Sequence, residues 1–383
     1  MICIRNGLVF DAVHENPEKK DILIDQGKIV KIGVQLEVPA ECEIVDAEGL
    51  HVYPGFVDAH SHLGTMGSSI GFEGDDVNEM TDILTPQLRG IDCIEPMDIV
   101  FTEAREGGVT TVCTGPGSAN VVGGTFAAIK TVGKRVDDMV INDRVAMKCA
   151  FGENPKRCYK DKNNFSRMST AAKLREILFK TQEYDAKIKA AGDDLSKRPP
   201  FDFKLESMLP VIHREIPLKA HAHRADDIFT ALRIAKEFNV RITLEHVTDG
   251  SLITKELAKE NVMMAVGPSF GHRTKFELRN KSFQTPGDLA TAGCHVSIIT
   301  DAPVIPQQYL RLCAGLAVKD GMKEFDALKA ITINAAEHVG VSERVGSLEE
   351  GKDADLVLMD GTLFESQSNV VATYIDGKRV FGS

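Results

Sequence analysis

The chain of 383 residues contains no tryptophan, and aromatic residues make up only 6 % of it. It lacks an apolar run of the roughly 18 residues that a membrane-spanning helix needs, so we expect no membrane partner. Its start, MICIRNGLVFDA, lacks the basic, apolar and cleavage regions of a secretion signal. The eight cysteines are scattered and form no CxxC pair, which is typical of reduced thiols in a core. These absences together predict a cytoplasmic protein.

Basic residues are also in short supply. The 45 Lys and Arg residues face 56 Asp and Glu residues, for a net charge of −11. An acidic chain repels phosphate backbones, so we expect no nucleic-acid partner. Hydrophobic residues at 43 % and charged residues at 26 % indicate a folded protein with a large core and a well-solvated surface.

The two ends of the chain share a β-rich pattern. Short apolar runs are separated by turn dipeptides at Asn6-Gly7, Gln26-Gly27 and Asp376-Gly377, which favour hairpins. No apolar period of helical length appears in either end. We therefore predict a small β-sandwich domain built from both termini, with residues 1–52 as its first part and residues 345–383 as its second.

The middle of the chain, residues 53–344, alternates short β-branched runs with helical segments. EIPLKAHAH precedes ADDIFTALRIAKEFN, and VRITLEH precedes GSLITKELAKEN. Strand followed by helix, repeated over such a length, indicates an α/β fold with parallel strands. A closed (β/α)₈ TIM barrel is the architecture that this pattern favours.

Polar side chains stand where these apolar runs end. His60 and His62 end the stretch GFVDAHSHLG, and residues two apart in a strand point to the same side. A single His-x-His pair is weak evidence, because such pairs are common. Here further candidates end three more strands, and the carboxyl ends of barrel strands face one mouth. Imidazole with carboxylate suits a divalent transition metal, and the full candidate set is His60, His62, His221, His223, His246 and Asp301.

Lys148 lies in the apolar run VAMKCAF, and its role is open between two interpretations. A structural lysine would snorkel or pair with a carboxylate. A functional lysine would be neutralised by desolvation and could react with CO₂, giving a carbamate that bridges two metals.

Several motifs together resemble the amidohydrolase superfamily, and within it the imidazolonepropionase-like and prolidase-like hydrolases. They are YPGFVDAHSHLG, HAHRADDIFTALRIAKEF, TLEHVTDG, SIITDAPVIP and ALKAITINAAEHVGVSERVGSLEEGKDADLVLMD. The resemblance covers essentially the whole chain. It implies a barrel with a β-sandwich from both termini, and one or two divalent metals per chain, usually zinc.

The resemblance also implies roles for individual residues. His60 and His62 would bind the first metal, and His221 and His246 the second. Lys148 would be the carbamylated bridge, with Glu153 as an alternative because GENPKR departs from the glycine-rich sequence of many prolidase-like members. Asp301 would contact the first metal and the attacking water, and His223 would contact the substrate or support a ligand from behind.

The expected reaction is hydrolysis of a C–N bond in an amide, cyclic amide or dipeptide. A metal lowers the pKa of bound water from about 15.7 towards about 7, which supplies hydroxide at neutral pH. Asp301 would act as general base and then general acid, passing the proton to the leaving nitrogen.

The small-molecule substrate is predicted to be carboxylate-bearing, since arginine can clamp a carboxylate. The competing interpretation is that the polar residues predicted to contact the substrate are ordinary surface charges. A homo-oligomer is plausible for the family. The residues predicted to contact the substrate, besides His223, are Arg224, His272, Arg273 and Tyr159.

Two other functions stay open. A deaminase of a ring amidine would use the same barrel with one metal, and Lys148 would then not be a ligand. A non-catalytic scaffold of the same fold would be expected to lack ligands, whereas this sequence has the whole set.

Overall fold

The structure is a computed structural model that describes residues 1–68 and 71–382. Its strands are β1 Ile2–Val9, β2 Glu18–Asp25, β3 Lys28–Gly33, β4 Glu43–Asp46, β5 His51–Pro54, β6 Phe56–Ser61, β7 Val109–Thr114, β8 Val122–Lys130, β9 Val140–Ala150, β10 Leu218–Ala222, β11 Ile242–His246, β12 Met264–Val266, β13 Val296–Ile298, β14 Leu356–Met359, β15 Val370–Ile375 and β16 Lys378–Phe381.

The α-helices are α1 Ile99–Glu106, α2 Val136–Met139, α3 Glu153–Cys158, α4 Arg167–Ala191, α5 Phe203–Ile212, α6 Ala225–Phe238, α7 Thr254–Leu257, α8 Thr285–Thr291, α9 Leu310–Lys319, α10 Glu324–Ala330 and α11 Ile333–His338. Short 3-10 turns are Phe72–Gly74, Gly90–Cys93, Leu195–Lys197, Gly250–Leu252, Phe276–Leu278 and Gln307–Tyr309. Among the residues described, no helix combines the length and the apolar character needed to cross a bilayer.

Strands from both ends of the chain form one sheet in the order β16-β15-β14-β5-β1-β2-β3, with β4 paired to β1. The predicted association of the two termini is therefore confirmed, because β14 near the C-terminus pairs with β5 near the N-terminus. Buried Ile22, Val52 and Leu356 belong to the apolar core of this sheet. A two-layer sandwich, and domain boundaries at residues 52 and 345, stay predictions.

Two of the three predicted hairpin turns are confirmed, and one is wrong. Gln26-Gly27 joins β2 to β3 and Asp376-Gly377 joins β15 to β16, with positive φ at all four residues. Asn6-Gly7 instead lies inside β1, where the register against β2 shifts. Asn6 forms a bulge there because its backbone N–H donates to Asp21 at 2.9 Å, and the strand then continues.

The second sheet is a nearly closed barrel of eight strands whose spatial order follows the chain from β6 to β13. The predicted α/β barrel is confirmed, but its alternation of strand and helix is interrupted. Strand β8 runs antiparallel to both β7 and β9. Only residues 115–121 separate β7 from β8, with no helix among them. A connection so short permits an antiparallel neighbour, whereas a parallel one needs a longer crossover.

Backbone hydrogen bonds bring the first barrel strand against the segment that follows the last one. The N–H of Asp301 donates to the carbonyl of His60 at 3.2 Å, and the N–H of His62 donates to the carbonyl of Ala302 at 2.7 Å. Residues 240 positions apart in sequence are thereby placed side by side at the carboxyl end of β6.

Candidate metal centre

Six polar side chains at the carboxyl ends of the barrel strands form two groups of three. In each group, one possible ligand atom per residue lies within 4.8 Å of the other two. The ring centroids of His60 and His246 are 5.1 Å apart, so the two groups adjoin. The first group is His60, His62 and Asp301, and the second is His221, His223 and His246.

Asp58 positions the first group from inside β6. Its carboxylate accepts hydrogen bonds from the backbone N–H of His60 at 3.0 Å and from the hydroxyl of Thr300 at 2.6 Å. It also accepts from the amide of Gln307 at 2.7 Å. These bonds fasten the segment that carries Asp301 to the strand that carries the histidines.

The Asp301 carboxylate points at the histidines of its group. Its Oδ1 atom lies 3.2 Å from Nε2 of His62 and 3.5 Å from Nε2 of His60. Burial alone would raise the pKa of Asp301, but the adjacent His246 and His62 hold it well below its usual range. The carboxylate is therefore ionised at neutral pH and available as a ligand or a proton acceptor.

Backbone carbonyls fix the protonation of two imidazoles. Nδ1 of His62 lies 2.7 Å from the carbonyl oxygen of Gly115, and Nδ1 of His246 lies 2.8 Å from that of Gly267. A carbonyl oxygen can only accept, so each ring donates from Nδ1. In the neutral form of each ring the lone pair is then on Nε2, the arrangement that metal-ligating histidines show.

Glu245 fixes His60 in the same way and is itself fully hydrogen-bonded. Its Oε2 atom lies 3.0 Å from Nδ1 of His60 and 2.9 Å from Nζ of Lys219, and its Oε1 atom lies 3.0 Å from Nε2 of His338. Burial would raise the pKa of Glu245, but the charge of Lys219 and the hydrogen bonds hold it well below its usual value. The buried carboxylate of Glu245 therefore fixes the orientation of the His60 ring through its Nδ1 atom.

The backbone explains how Glu245 and its neighbour His246 both face the barrel interior. Successive residues of a strand point to opposite sides. His246 leaves the extended conformation, with φ of 76°, and Val247 follows at 49°. This turn at the end of β11 brings the imidazole to the same side as the carboxylate.

Lys148 of β9 lies against the first group. Its Nζ atom is 3.1 Å from Nε2 of His60 and 5.2 Å from the ring centre of Phe126, and the side chain is fully buried. Burial lowers the pKa of its amine to about 8. A neutral fraction of the amine is therefore present near neutral pH, although the structure holds no pairing carboxylate at hydrogen-bonding distance among the described residues.

The second group has unmet hydrogen-bonding capacity. Both ring nitrogens of His221 are buried and have no hydrogen-bond partner. Nδ1 of His223 pairs with the hydroxyl of Thr248 at 2.8 Å, which leaves its Nε2 free. Burial lowers the pKa of His221 and of His223 well below the usual value, so the rings are neutral. Buried neutral imidazoles with free nitrogens fit a divalent cation.

His223 is therefore itself a candidate metal ligand. The family resemblance implied a substrate contact or a supporting position for it and implied only His221 and His246 as ligands of the second metal. Residues two apart in β10 and its continuation share a face, and the rings of His221 and His223 have centroids 4.7 Å apart. Both histidines of the HAH motif thus reach the same place.

The remaining predicted contact residues lie in other surroundings. Arg224 pairs with Asp226 at 2.8 Å, and the guanidinium of Arg273 donates to carbonyls of its own loop. His272 is exposed. The buried Tyr159 hydroxyl donates to the carbonyl oxygens of residues 79 and 82. These groups are already engaged or lie on the surface, and no described contact joins them to either histidine group.

The alternative bridging carboxylate, Glu153, is also outside both groups. Its side chain is one-third exposed and lies 3.9 Å from Arg157. Its backbone N–H donates to Glu277 at 2.8 Å, and the buried carboxylate of Glu277 lies 3.8 Å from Nε2 of His223. Glu277 and Glu245 were not predicted from the sequence, because the loop KFELRN carries no strand pattern and alternation places Glu245 opposite His246.

Comparison with known proteins identifies the family of the chain. A profile of the amidohydrolase family matches residues 51–380. The chain is 26 % identical to amidohydrolase tasK of Hapsidospora irregularis, over 94 % of this chain but only 40 % of that protein. It is 25 % identical to imidazolonepropionase of Symbiobacterium thermophilum, over 87 % of this chain and 82 % of the relative. A solved amidohydrolase from Thermotoga maritima MSB8 is 40 % identical, with a TM-score of 0.97 over the whole of both chains.

Proposed function

Because the chain belongs to the amidohydrolase family and is a hydrolase of carbon–nitrogen bonds, we propose that it cleaves an amide, cyclic amide or dipeptide at a two-cation centre. The proposal rests on one observation above all: two adjoining groups, each of three possible ligands, end the strands of one barrel. Zinc is the proposed metal, since imidazole nitrogen and carboxylate oxygen are the ligands that it takes in hydrolases.

The cations, when bound, would acidify water and polarise the carbonyl of the substrate. The chain supplies the proton transfer. Asp301 is ionised and is the most solvent-accessible member of its group, with 17 % of its side chain exposed. We assign it the role of general base towards water and general acid towards the leaving nitrogen.

Lys148 is proposed to bridge the two cations as a carbamate. Its support is its place next to His60, its complete burial and an amine with a pKa of about 8. A neutral amine attacks CO₂ at carbon and loses one proton, which converts a buried cation into the carboxylate that two metal ions would share. Without this change the ammonium would lie beside the first cation and repel it.

A substrate with an apolar group is favoured by the cavity beside His62. This cavity has a volume of about 600 Å³ and is lined by His62 together with Leu63, Met66, Val100 and Pro303, among others. Substrate pockets combine apolar walls with a few polar groups at the reacting end. A carboxylate on the substrate stays a prediction, because Arg224 and Arg273 are engaged elsewhere.

Turnover of N-acyl amino acids, dipeptides and cyclic amides by the zinc-loaded protein tests the proposal. Activity is expected on at least one of these classes and on no ring amidine. Asp301→Asn should lower kcat by about 10²–10⁴-fold, the usual worth of a general acid–base group. Deamination of a ring amidine with one zinc ion per chain would instead support the mononuclear alternative, and unchanged turnover in the Asp301→Asn variant would refute the assigned role.

A further inference from the structure

Glu277 is a buried carboxylate with one oxygen that has no hydrogen-bond partner. It lies in the 3-10 turn Phe276–Leu278 after β12, and only 1 % of its surface is exposed. Its Oε1 atom makes no hydrogen bond, whereas its Oε2 atom accepts from the backbone N–H of Glu153 at 2.8 Å. A carboxylate oxygen left without a partner in a protein interior is costly. The position therefore calls for an occupant that is absent from the protein chain itself.

The free oxygen faces the second histidine group. Oε1 of Glu277 lies 3.8 Å from Nε2 of His223 and 3.9 Å from Nε2 of His221. These distances are too long for hydrogen bonds. They are within the span of about 4.2 Å that two ligands of one zinc ion can have, since each bond is about 2.1 Å long. The carboxylate and the two imidazoles thus share a common neighbouring volume.

The carboxylate is held in this direction by close packing. A Cβ atom at Gly152, which has φ of 81°, would lie 2.6 Å from Oε2 of Glu277 and 3.1 Å from Asp227. Glycine at position 152 therefore leaves the space that Oε2 fills. Asp227 does not compete for the same cation, because its carboxylate is bound by Arg167 at 2.9 Å.

Lys275 is the one described cation near Glu277. Its Nζ atom lies 3.5 Å from Oε1, longer than the distance of a charge-assisted hydrogen bond. Lys275 is also partly exposed, with 18 % of its side chain accessible, so its ammonium can turn towards solvent when another cation takes its place.

We propose that Glu277 is a ligand of the cation held by His221, His223 and His246. This inference depends on the two-cation centre proposed above. Besides the Lys148 carbamate proposed above, the donor set would then be three imidazoles and one carboxylate, contributed by β10 and its continuation, β11 and the loop after β12. The loop would be tied to the barrel through the metal, so that the second cation organises one wall of the mouth.

Zinc binding to the metal-free protein, measured with a competing chelator and by elemental analysis after dialysis, tests this inference. Wild type is expected to hold about two zinc ions per chain. Glu277→Gln keeps the shape and the acceptor for the Glu153 N–H but removes the charge. This variant is expected to bind the weaker zinc ion at least about 100-fold less tightly than wild type, because a residue that only supports a ligand usually contributes about 10–100-fold. It is also expected to retain about one zinc ion per chain after dialysis.

Lys275→Met is the matched control. If Glu277 is a ligand, removal of the ammonium leaves the zinc content at two per chain and does not weaken binding of either ion. If Glu277 serves only as the partner of Lys275, Glu277→Gln holds two zinc ions with wild-type affinity, and the inference is overturned while the two-cation proposal stands. A substrate ammonium as the occupant would give that same zinc result with a raised KM.

The two proposals fail in different ways. Fewer than two zinc ions in wild type would refute the two-cation centre, and the role of Glu277 with it. Retention of one ion by Glu277→Gln, with an unchanged far-ultraviolet circular dichroism spectrum, shows that the variant is folded. If that variant does not fold, Glu277→Asp is measured instead. A shortened carboxylate is expected to bind the weaker ion about 10-fold less tightly than wild type, and wild-type binding would overturn the inference.

Discussion

Glu245 connects the buried charge network below the site to one of the candidate ligands. It accepts hydrogen bonds from His60, from His338 and from the hydroxyl of Thr243, which lies 2.7 Å from its Oε1 atom, and it forms an ion pair with Lys219 at 2.9 Å. A carboxylate that orients a ligating histidine raises the basicity of the ring and holds it in place. The contribution of Glu245 is therefore to metal affinity, although it touches neither the metal nor the substrate.

Replacing Glu245 by glutamine is expected to weaken zinc binding at the first group by about 10–100-fold. The N–H groups of the glutamine amide would face the N–H donors of His60 or Lys219. This repulsion would disturb the orientation of the His60 ring, whose Nε2 atom is the proposed zinc ligand. Zinc titration of the metal-free protein measures the effect. Thr243→Val is the control, because it removes a hydrogen bond to the other oxygen of Glu245 and should leave zinc affinity within about threefold of wild type.

Lys148→Met is expected to abolish the second cation and to lower activity at least about 100-fold, more than the loss of a residue that only supports a ligand. Methionine retains the apolar stem but cannot form a carbamate. Incubation of the protein with ¹³C-labelled bicarbonate should give a ¹³C resonance from the carbamate carbon in wild type. The Lys148→Met variant should lack this resonance. Wild-type protein with two zinc ions and no such resonance would contradict the carbamate.

The sequence identified the residues of the two groups because each ends an apolar run, but it could not identify their supports. Glu245 and Glu277 have no spacing that marks them, since their positions depend on a left-handed turn at His246 and on the path of a loop. For the same reason the predicted arginine contacts did not reach the site. Salt bridges such as Arg224 to Asp226 depend on side-chain directions that a pattern does not contain.

At the scale of elements, the antiparallel strand β8 depends on a glycine. Gly124 has φ of 120°, and a Cβ atom there would lie 2.5 Å from the carbonyl oxygen of Leu88. That carbonyl accepts a hydrogen bond from the N–H of Thr125 at 2.9 Å. Close approach of the segment around Leu88 to the strand therefore needs a residue without a side chain.

Gly124→Ala is expected to destabilise the protein by more than the about 1–2 kcal/mol that a left-handed backbone alone costs a residue with a Cβ atom. Urea unfolding measures the difference. Gly293→Ala is the matched control, since Gly293 also has positive φ, at 86°, but nothing lies within 4 Å of the added atom. Equal losses in the two variants would show that the contact with Leu88 contributes nothing.

Most barrel strands were predictable because buried β-branched runs alternate with amphipathic helices. The sequence did not predict the direction of β8. A run of buried residues is compatible with a parallel or an antiparallel strand. Only the short connection of residues 115–121 distinguishes these two orientations. The predicted hairpin turn at Asn6-Gly7 was wrong for a similar reason, because a bulge and a hairpin turn can have the same composition.

At the scale of the whole molecule, a buried lysine joins the barrel to the segment that enters the terminal sheet. Nζ of Lys130, at the end of β8, lies 2.6 Å from Asp355 and 3.0 Å from Asp353, and all three side chains are almost inaccessible. Asp353 also pairs with Arg344 and Lys28. Both parts of the protein therefore depend on the same charge cluster.

Lys130→Met is expected to lower the free energy of unfolding by about 3–5 kcal/mol, because it leaves the buried carboxylate of Asp355 without its cation, whereas Asp353 keeps Arg344 and Lys28. Chemical denaturation measures the loss. The double variant Lys130→Met with Asp355→Asn removes the cation and the nearer charge together, and it should recover part of the stability. Additive losses would contradict a direct coupling between the two residues.

The association of the two termini was predictable from composition, since both ends carry short strands and turns and neither has a core of its own. The cluster around Lys130 was not, because Lys130 is more than 220 positions from Asp353 and Asp355 in the sequence and each member is an ordinary charged residue there.

Anomalous diffraction at the zinc absorption edge, from crystals of the zinc-loaded protein, tests the central claim most directly. The account predicts two peaks: one bonded to Nε2 of His60 and of His62, and one among the rings of His221, His223 and His246. A single peak would exclude the two-cation centre, and no peak at either group would contradict the metal-dependent hydrolase altogether.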